Sequence, residues 1–397
     1  MDGNNSIIWH FSSVYPHAPK RLSLFTIELT QQCNFRCSYC CFSGEYRDRR
    51  VHNSRIMPIE TMQQTVRFIL ENRCPDRLTI VTFYGGEALL ALDKIKWMVS
   101  SLRSKLGKDV GFSISSNGYA LVASTVDWLC SVDDCEIYIT IDGNEELHDA
   151  NRRTVSNKPT YQTIISNLEY FKGKYPLEYQ QRVHFLVTLR RWSQLPMVSD
   201  EWEQNPLFKN KIPKHLSFIL PKNLYEMQNP ISSLEEKRNV FDIALERYKK
   251  GEMSLLTQQF IEWTDNIYRG MQSIKEGNEL TVKTCLEDMY RTFISSEGNI
   301  YICERFCSEH IIGNVNMRGI DNEKLTNLEN SFIERCNRMC SDCPIAPLCR
   351  ICITNLNYTD EELTAICKTE RAMVNLIKEY AWKRRMYERE KQLLNQK

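Results

Sequence analysis

Three cysteines crowded into one loop constrain this chain most. Cys33-Asn-Phe-Arg-Cys37-Ser-Tyr-Cys40 directly follows the β-type run RLSLFTIELT that starts at Arg21. Three thiolates can hold three irons of a [4Fe–4S] cube and leave the fourth iron open, as a substrate-binding cluster requires. A structural zinc site would want a fourth protein ligand. Cys41 is adjacent, yet neighbours in an extended loop point apart. It reads as a fourth ligand, a buried thiol or a contact to substrate.

The chain has 16 cysteines, and their distribution is uneven: four fall at 33–41, nine at 285–367, and only Cys74, Cys130 and Cys135 between. The first 21 residues lack the basic-then-apolar pattern of a signal peptide. No apolar run approaches the ~18 residues of a spanning helix. The expected location is therefore the cytoplasm, where thiols stay reduced and metal binding accounts for so many of them. Lys plus Arg number 51 against 50 Asp plus Glu, a balance that argues against nucleic acid as the main partner. No membrane partner is expected.

Six β-type runs alternate with amphipathic helical stretches: from Arg21, Arg77, Val110, Glu136, Val183 and His215, with helices near 58–73, 91–106, 120–131, 159–172 and 234–250. Such alternation predicts an α/β fold with a parallel sheet and right-handed crossovers, a barrel or part of one. In such folds the chemistry gathers at the C-terminal strand ends. From about 281 the rhythm changes to short Cys-punctuated loops that would fold around metal. The regions expected are an N-terminal extension (1–21), a barrel (22–230), a helical linker (231–280), a cysteine-rich unit (281–370) and a charged C-terminal helix (371–397).

The CxxxCxxC spacing, with Tyr39 before the last cysteine, resembles the signature of the radical S-adenosylmethionine (radical SAM) superfamily. Gly85-Gly86-Glu87 follows the second strand, where that superfamily carries a GGE motif that receives the methionine amine; Ala88 replaces the usual proline. Ser115-Ser116-Asn117 suits a ribose and a carboxylate. Asp142-Gly143 and then His148–Arg152 resemble a stretch typical of peptide-modifying members. By this resemblance Arg152 would clamp the nucleotide's carboxylate bidentately, or the adjacent Arg153 would instead. The fold implied is a partial (β/α)6 barrel.

Cys285, Gly298, Cys303, then Cys340-x2-Cys343-x5-Cys349-x2-Cys352 and Cys367 resemble the SPASM extension, which holds two auxiliary [4Fe–4S] clusters. Family members have three residues where this chain has two before Cys352. The resemblance implies that Cys340, Cys343, Cys349 and Cys367 hold the outer cluster, and Cys285, Cys303 and Cys352 the inner one. Cys307 and Cys336 are candidates for its fourth ligand, or the iron is open. Zinc ribbons are the competing reading of the CxxC pair. Glu297 occupies the place of a catalytic acid in sulfatase-maturating relatives, with Glu304 as the alternative.

The cofactors implied are S-adenosylmethionine and three [4Fe–4S] clusters, with flavodoxin or ferredoxin as reductant. Two auxiliary clusters suit a reaction that loses an electron while a bond forms. The leading expectation is therefore a maturase that crosslinks a ribosomal precursor peptide, most simply through a thioether, or else through a carbon–carbon or carbon–oxygen bond. The stretch before the first strand is too short for a winged-helix leader-binding domain, so leader recognition would use a separate leader-binding protein or another surface. The alternative within the family is a sulfatase maturase forming formylglycine. A non-catalytic zinc or iron–sulfur regulatory protein is the alternative from another class.

Overall fold

In a computed structural model, residues 8–13, 22–46, 49–273, 279–282, 290–306, 308–317, 319–349 and 352–394 are described. Cys285 and Cys307 lie outside them. A short β1 (His10–Ser13) precedes six strands: β2 (Leu24–Thr30), β3 (Thr79–Gly85), β4 (Val110–Ser116), β5 (Cys135–Thr140), β6 (Val183–Leu189) and β7 (His215–Phe218). Each pairs in parallel with the next, so the six runs read from the sequence form one curved α/β sheet.

Side chains alternate along these strands because a strand's period is two. Phe25, Ile27, Val81, Phe83, Ile114, Ile139, Phe185 and Val187 are buried beneath the helices Ile59–Asn72, Leu92–Leu106, Ala123–Ser131 and Tyr161–Lys174. Tyr84, Ser115, Tyr138, His184 and Leu186 on the opposite face are only half-buried. A parallel sheet packed on both faces would be continuously apolar. The alternation therefore marks an inner face that borders space rather than core.

The cysteine-rich region is continuous with the barrel sheet. After β8 (Glu279–Val282), which pairs with β1, the strand β9 (Arg291–Ile294) adds in parallel to the free edge of β2. The antiparallel β10 (Asn299–Tyr301), β11 (Gly313–Asn314) and β12 (Gly319–Ile320) extend it to ten strands. This pairing sets Tyr301, just before Cys303 and Glu304, beside Phe293 of β9, which in turn pairs with Thr26 of β2.

The expectation of loops alone after residue 281 is corrected by the helix Asn322–Cys340. Leu325, Leu328, Phe332 and Cys336 make its buried stripe, and Asp321 caps its first amides. The C-terminal helix likewise begins earlier than expected, at Asp360, so Cys367 lies on it. It docks on Leu234–Lys249 and Leu255–Ser273, with Tyr380 fully buried and Arg384 paired to Asp265. No helix among the described residues is long and apolar enough to cross a membrane.

Candidate functional site

The loop after β2 is pinned from two sides. On one side, the Gly86 amide donates to Thr30 O at 2.9 Å and the Glu87 amide to Gln32 O at 2.8 Å. A Cβ on Gly86 would stand 2.1 Å from Gln32 O, and one on Gly85 would stand 2.2 Å from Thr30 O. Both glycines are thus required by backbone approach, whatever else they touch. The buried Glu87 carboxylate accepts the Asn117 amide (2.7 Å), Ser116 Oγ (2.8 Å) and the Leu89 amide (3.1 Å). Burial raises its pKa, against those donors. Asn117 Nδ2 donates to Asn34 Oδ1 at 2.8 Å, and Ser115 stands half-buried on the inner face.

On the other side the loop is zipped to 151–155. Ser38 donates through its amide to Asn151 O (2.9 Å) and through Oγ to Asn151 Oδ1 (2.7 Å). The Arg36 amide donates to Arg153 O, and the Val155 amide to Asn34 O. This ladder sends the two arginines in different directions. Arg153 binds Asp149 O and Asn157 O, a local structural role. Arg152 is buried beside the thiols and donates to Tyr39 Oη at 2.7 Å. Tyr39 in turn donates to Asp142, whose other oxygen accepts the Thr188 amide at 3.0 Å. Arg152 Nε is buried with no hydrogen-bond partner, so this side chain retains donor capacity towards the site.

Burial pushes the Cys33 thiol up to about 12 and that of Cys37 up to about 11, with Arg152 opposing at Cys37. Hydrogen bonding to Cys41, then burial, raises Cys40 to about 12. The Phe35 and Phe42 amides approach Cys33 and Cys40 Sγ at 3.4 Å, and His52 Nε2 lies 3.4 Å from Cys40. Buried thiols of this kind ionise only against strong positive charge, which an iron cluster supplies. Among the described residues no three His, Cys, Asp or Glu side chains converge on one ion-sized point.

Behind the loop a cavity of about 430 Å³ is lined by Glu28, Arg50, Arg55, Phe293, Glu297 and Glu304, among others. Glu304 is 26% exposed and ion-paired with Arg291 at 2.7 Å. Its charge helps hold the Tyr84 hydroxyl far above the usual phenol range, after burial and Cys41. Glu297 lies on the outer β9–β10 turn, 44% exposed and paired with Arg55. Sequence reasoning passed over Glu28. It is fully buried on the inner face, accepts Gln31 Nε2 and the Ser296 amide, and pairs with Arg50. A lone acid at a period-two inward position was the available signal.

A second cavity, about 520 Å³, lies between the ends of β6 and β7 and the C-terminal region. Cys336, Cys340, Cys343, Cys349, Cys352 and Cys367 all line it, and none forms a disulfide. Burial raises Cys349 to about 12 and also raises Cys367, with neighbouring thiols adding to both. Cys336 hydrogen-bonds Cys340. Cys352 accepts Thr354 Oγ1 at 3.1 Å. Cys303 is buried at the end of β10 and does not line this cavity. Six thiols that line one void, none in a disulfide, are a donor set that iron–sulfur clusters would accept.

The Radical SAM superfamily model matches residues 27–191. The cysteine-type anaerobic sulfatase-maturating enzyme of Clostridium perfringens is 25% identical over 382 residues, covering 91% of this chain and 97% of that one. Its Clostridium novyi namesake is 22% identical over 349 residues, covering 83% and 87%. The structure of native anSMEcpe with bound AdoMet and Cp18Cys peptide matches with a TM-score of 0.63 at 18% identity, covering 92% and 98%, a likeness of fold. These relatives overturn the expectation of a crosslinking peptide maturase and favour its alternative. Cysteine counting could not separate the two, because both reactions lose an electron and so call for auxiliary clusters. The chain thus carries a radical SAM domain over residues 27–191, and a cysteine-rich region of SPASM type follows its barrel.

Proposed function

We propose that this protein oxidises a cysteine side chain of a target protein or peptide to formylglycine. The observation that carries this reading is the likeness to cysteine-type sulfatase-maturating enzymes along more than nine-tenths of the chain. A serine-type relative from Bacteroides thetaiotaomicron matches only 41% of it, which favours a cysteine target.

Cys33, Cys37 and Cys40 would hold the first cluster; the loop Gly85–Glu87 with Ser115, Asn117 and the Tyr39–Asp142–Arg152 chain would hold AdoMet. Cys340, Cys343, Cys349 and Cys367 would hold the outer auxiliary cluster, and Cys303 and Cys352 would contribute to the inner one. When bound, these groups supply a carbon radical from AdoMet and an acceptor for one electron. Taking one hydrogen atom from Cβ, one proton and one electron leaves a thioaldehyde, which water converts to the aldehyde with loss of hydrogen sulfide.

In this reading the proton goes to Glu304. Its carboxylate is half-buried beside Tyr84 and steadied by Arg291, whereas Glu297 faces solvent. A general base of this kind contributes roughly 10²–10⁴-fold. The test uses iron-loaded protein, dithionite, AdoMet and a cysteine peptide under anaerobic conditions. Wild type should release deoxyadenosine and convert the peptide to an aldehyde. Glu304→Gln should keep deoxyadenosine release and lose aldehyde by about 100-fold. A thioether product, or no peptide product with any cysteine substrate, defeats the reading.

A further inference from the structure

The sulfurs of Cys33 and Cys40 meet different sets of donors. Cys33 Sγ takes the Phe35 amide at 3.4 Å, and Cys40 Sγ takes the Phe42 amide at 3.4 Å. Both contacts follow from the loop's own turns. Cys40 has in addition a side-chain partner from outside the loop, His52, whose Nε2 lies 3.4 Å from its sulfur. The backbone that carries this imidazole is pinned on two sides. The His52 amide donates to Phe42 O at 3.1 Å, and the Asn53 amide donates to Gln31 O at 3.4 Å. The ring meets Phe42 edge-on, with centroids 6.2 Å apart, and the Arg50 guanidinium lies 3.6 Å over the centre of Phe42. Segment 50–53 is thus tied both to the loop and to the end of β2, which leaves the ring little freedom to turn away.

The position of the protons decides what this contact does. Cys40 also hydrogen-bonds Cys41, with the Cys40 thiol as donor. Iron takes the place of that proton, and a ligating sulfur can then only accept. Against it the imidazole bonds only with hydrogen on Nε2. His52 Nδ1 is buried and has no hydrogen-bond partner, so no group there draws the hydrogen to the other nitrogen.

We infer that His52 tunes the first cluster: its Nε2–H donates to Cys40 Sγ, stabilises the reduced and more negative cluster, and so raises the reduction potential. Hydrogen bonds to the sulfurs are among the levers that set such potentials. His52 acts here through Cys40, as a positioning residue. The inference rests on the proposed seat of the first cluster at Cys33, Cys37 and Cys40, and it is independent of what the radical attacks.

The test is a redox titration of the iron-loaded full chain without oxygen, followed by electron paramagnetic resonance. The first cluster is read from the signal that changes on adding AdoMet and that Cys37→Ala removes. His52→Phe keeps a flat ring against Phe42 and loses the donor. At a fixed potential its ratio of reduced to oxidised first cluster should fall about tenfold, a shift of about 59 mV for one electron. His52→Gln, whose amide can reach the same sulfur, should recover most of that shift, and both variants should keep about twelve irons. An unshifted potential in His52→Phe overturns the inference. So does an equal shift in His52→Gln, which would leave only ring packing. Loss of about four irons from both variants overturns it too, since His52 would then be a ligand or a prop for the loop. Histidine labelled at its ring nitrogens gives a readout in the unaltered protein: a weak coupling to the reduced cluster, lost in His52→Gln. No coupling, or one as strong as a bonded nitrogen gives, overturns the inference as well. A wild type without any AdoMet-sensitive signal would defeat the proposed seat and the inference with it, whereas a missing aldehyde product touches the formylglycine reading alone.

Discussion

The two cysteine regions are built on different principles. Around Cys33–Cys40, main-chain hydrogen bonds join segments far apart in sequence: 30–32 to 86–87, and 34–38 to 151–155. Around Cys340–Cys352 the main-chain bonds near the thiols, apart from Trp9 N to Ser341 O, are local turns, such as Cys343 N to Cys340 O, Cys349 N to Ile345 O and Asn355 N to Cys352 O. The first loop is shaped by protein before any ligand arrives. In the second region the thiols come from the helix Asn322–Cys340, the turns after it and the helix Asp360–Leu394, and metal is what would tie them together.

The largest expected effect separates the regions outright. Each cluster contributes about four irons, so Cys37→Ala and the double variant Cys340→Ala/Cys343→Ala should each lose about that many. Only the distal variant should lose hydrogen-exchange protection across 341–367, while Cys37→Ala abolishes deoxyadenosine formation with exchange unchanged. Equal loss of protection in both proteins would break the contrast.

A smaller effect probes how rigidly the first loop is held. Gly86→Ala puts a Cβ against Gln32 O, a backbone atom with nowhere to move. It should cost about 3 kcal/mol of stability in denaturant unfolding. Gly118→Ala, whose Cβ would meet the Ile164 side chain at 2.9 Å, should cost less despite its φ of +80°. Near-equal costs would mean that the loop yields.

Much of the first region was legible in the sequence, because its information is local. Period-two runs from Arg77, Val110 and Val183 became β3, β4 and β6, and turn residues marked the strand ends that meet at the rim. The pairing of β9 with β2 was not legible. RTFI is a four-residue run whose partner lies some 270 positions away, and its cysteine-rich surroundings read as loop. The same surroundings hid the apolar stripe Leu325–Leu328–Phe332–Cys336. The choice between Arg152 and Arg153 was also illegible, since the ladder from 34–38 to 151–155 decides which side chain turns inward.

The pH dependence of stability sharpens the contrast further. His148 is fully buried, within reach of the Asp142 amide at 3.4 Å and Thr160 Oγ1 at 3.2 Å. Burial, then Arg152, pushes its pKa down to about 2. An unfolded chain binds a proton here below about 6.5, and the native chain does not. Stability is therefore complete above 6.5 and is lost as pH falls towards 2, by up to about 1.4 kcal/mol per unit. From pH 7 to pH 5 the loss should be about 2 kcal/mol, and His148→Gln should flatten that slope. An unchanged slope in the variant would assign the acid sensitivity to other groups.

The smallest expected effect concerns two acids at the seam of the regions. Glu297 and Glu304 sit seven residues apart, on either side of β10, and both border the 430 Å³ cavity. Their surroundings differ. Glu297 faces Arg55 across solvent, both side chains nearly half exposed, and such pairs are worth 0–1 kcal/mol. Glu304 faces Arg291 at about a quarter exposure, with a buried phenol beside it. Glu297→Gln should therefore shift the unfolding midpoint by less than the equivalent of about 1 kcal/mol, and aldehyde formation should stay within about threefold of wild type. If Glu297→Gln instead costs as much product as Glu304→Gln, proton transfer runs through the solvent-facing turn, and the division between a protein-shaped mouth and a metal-tied wall must be redrawn around β10.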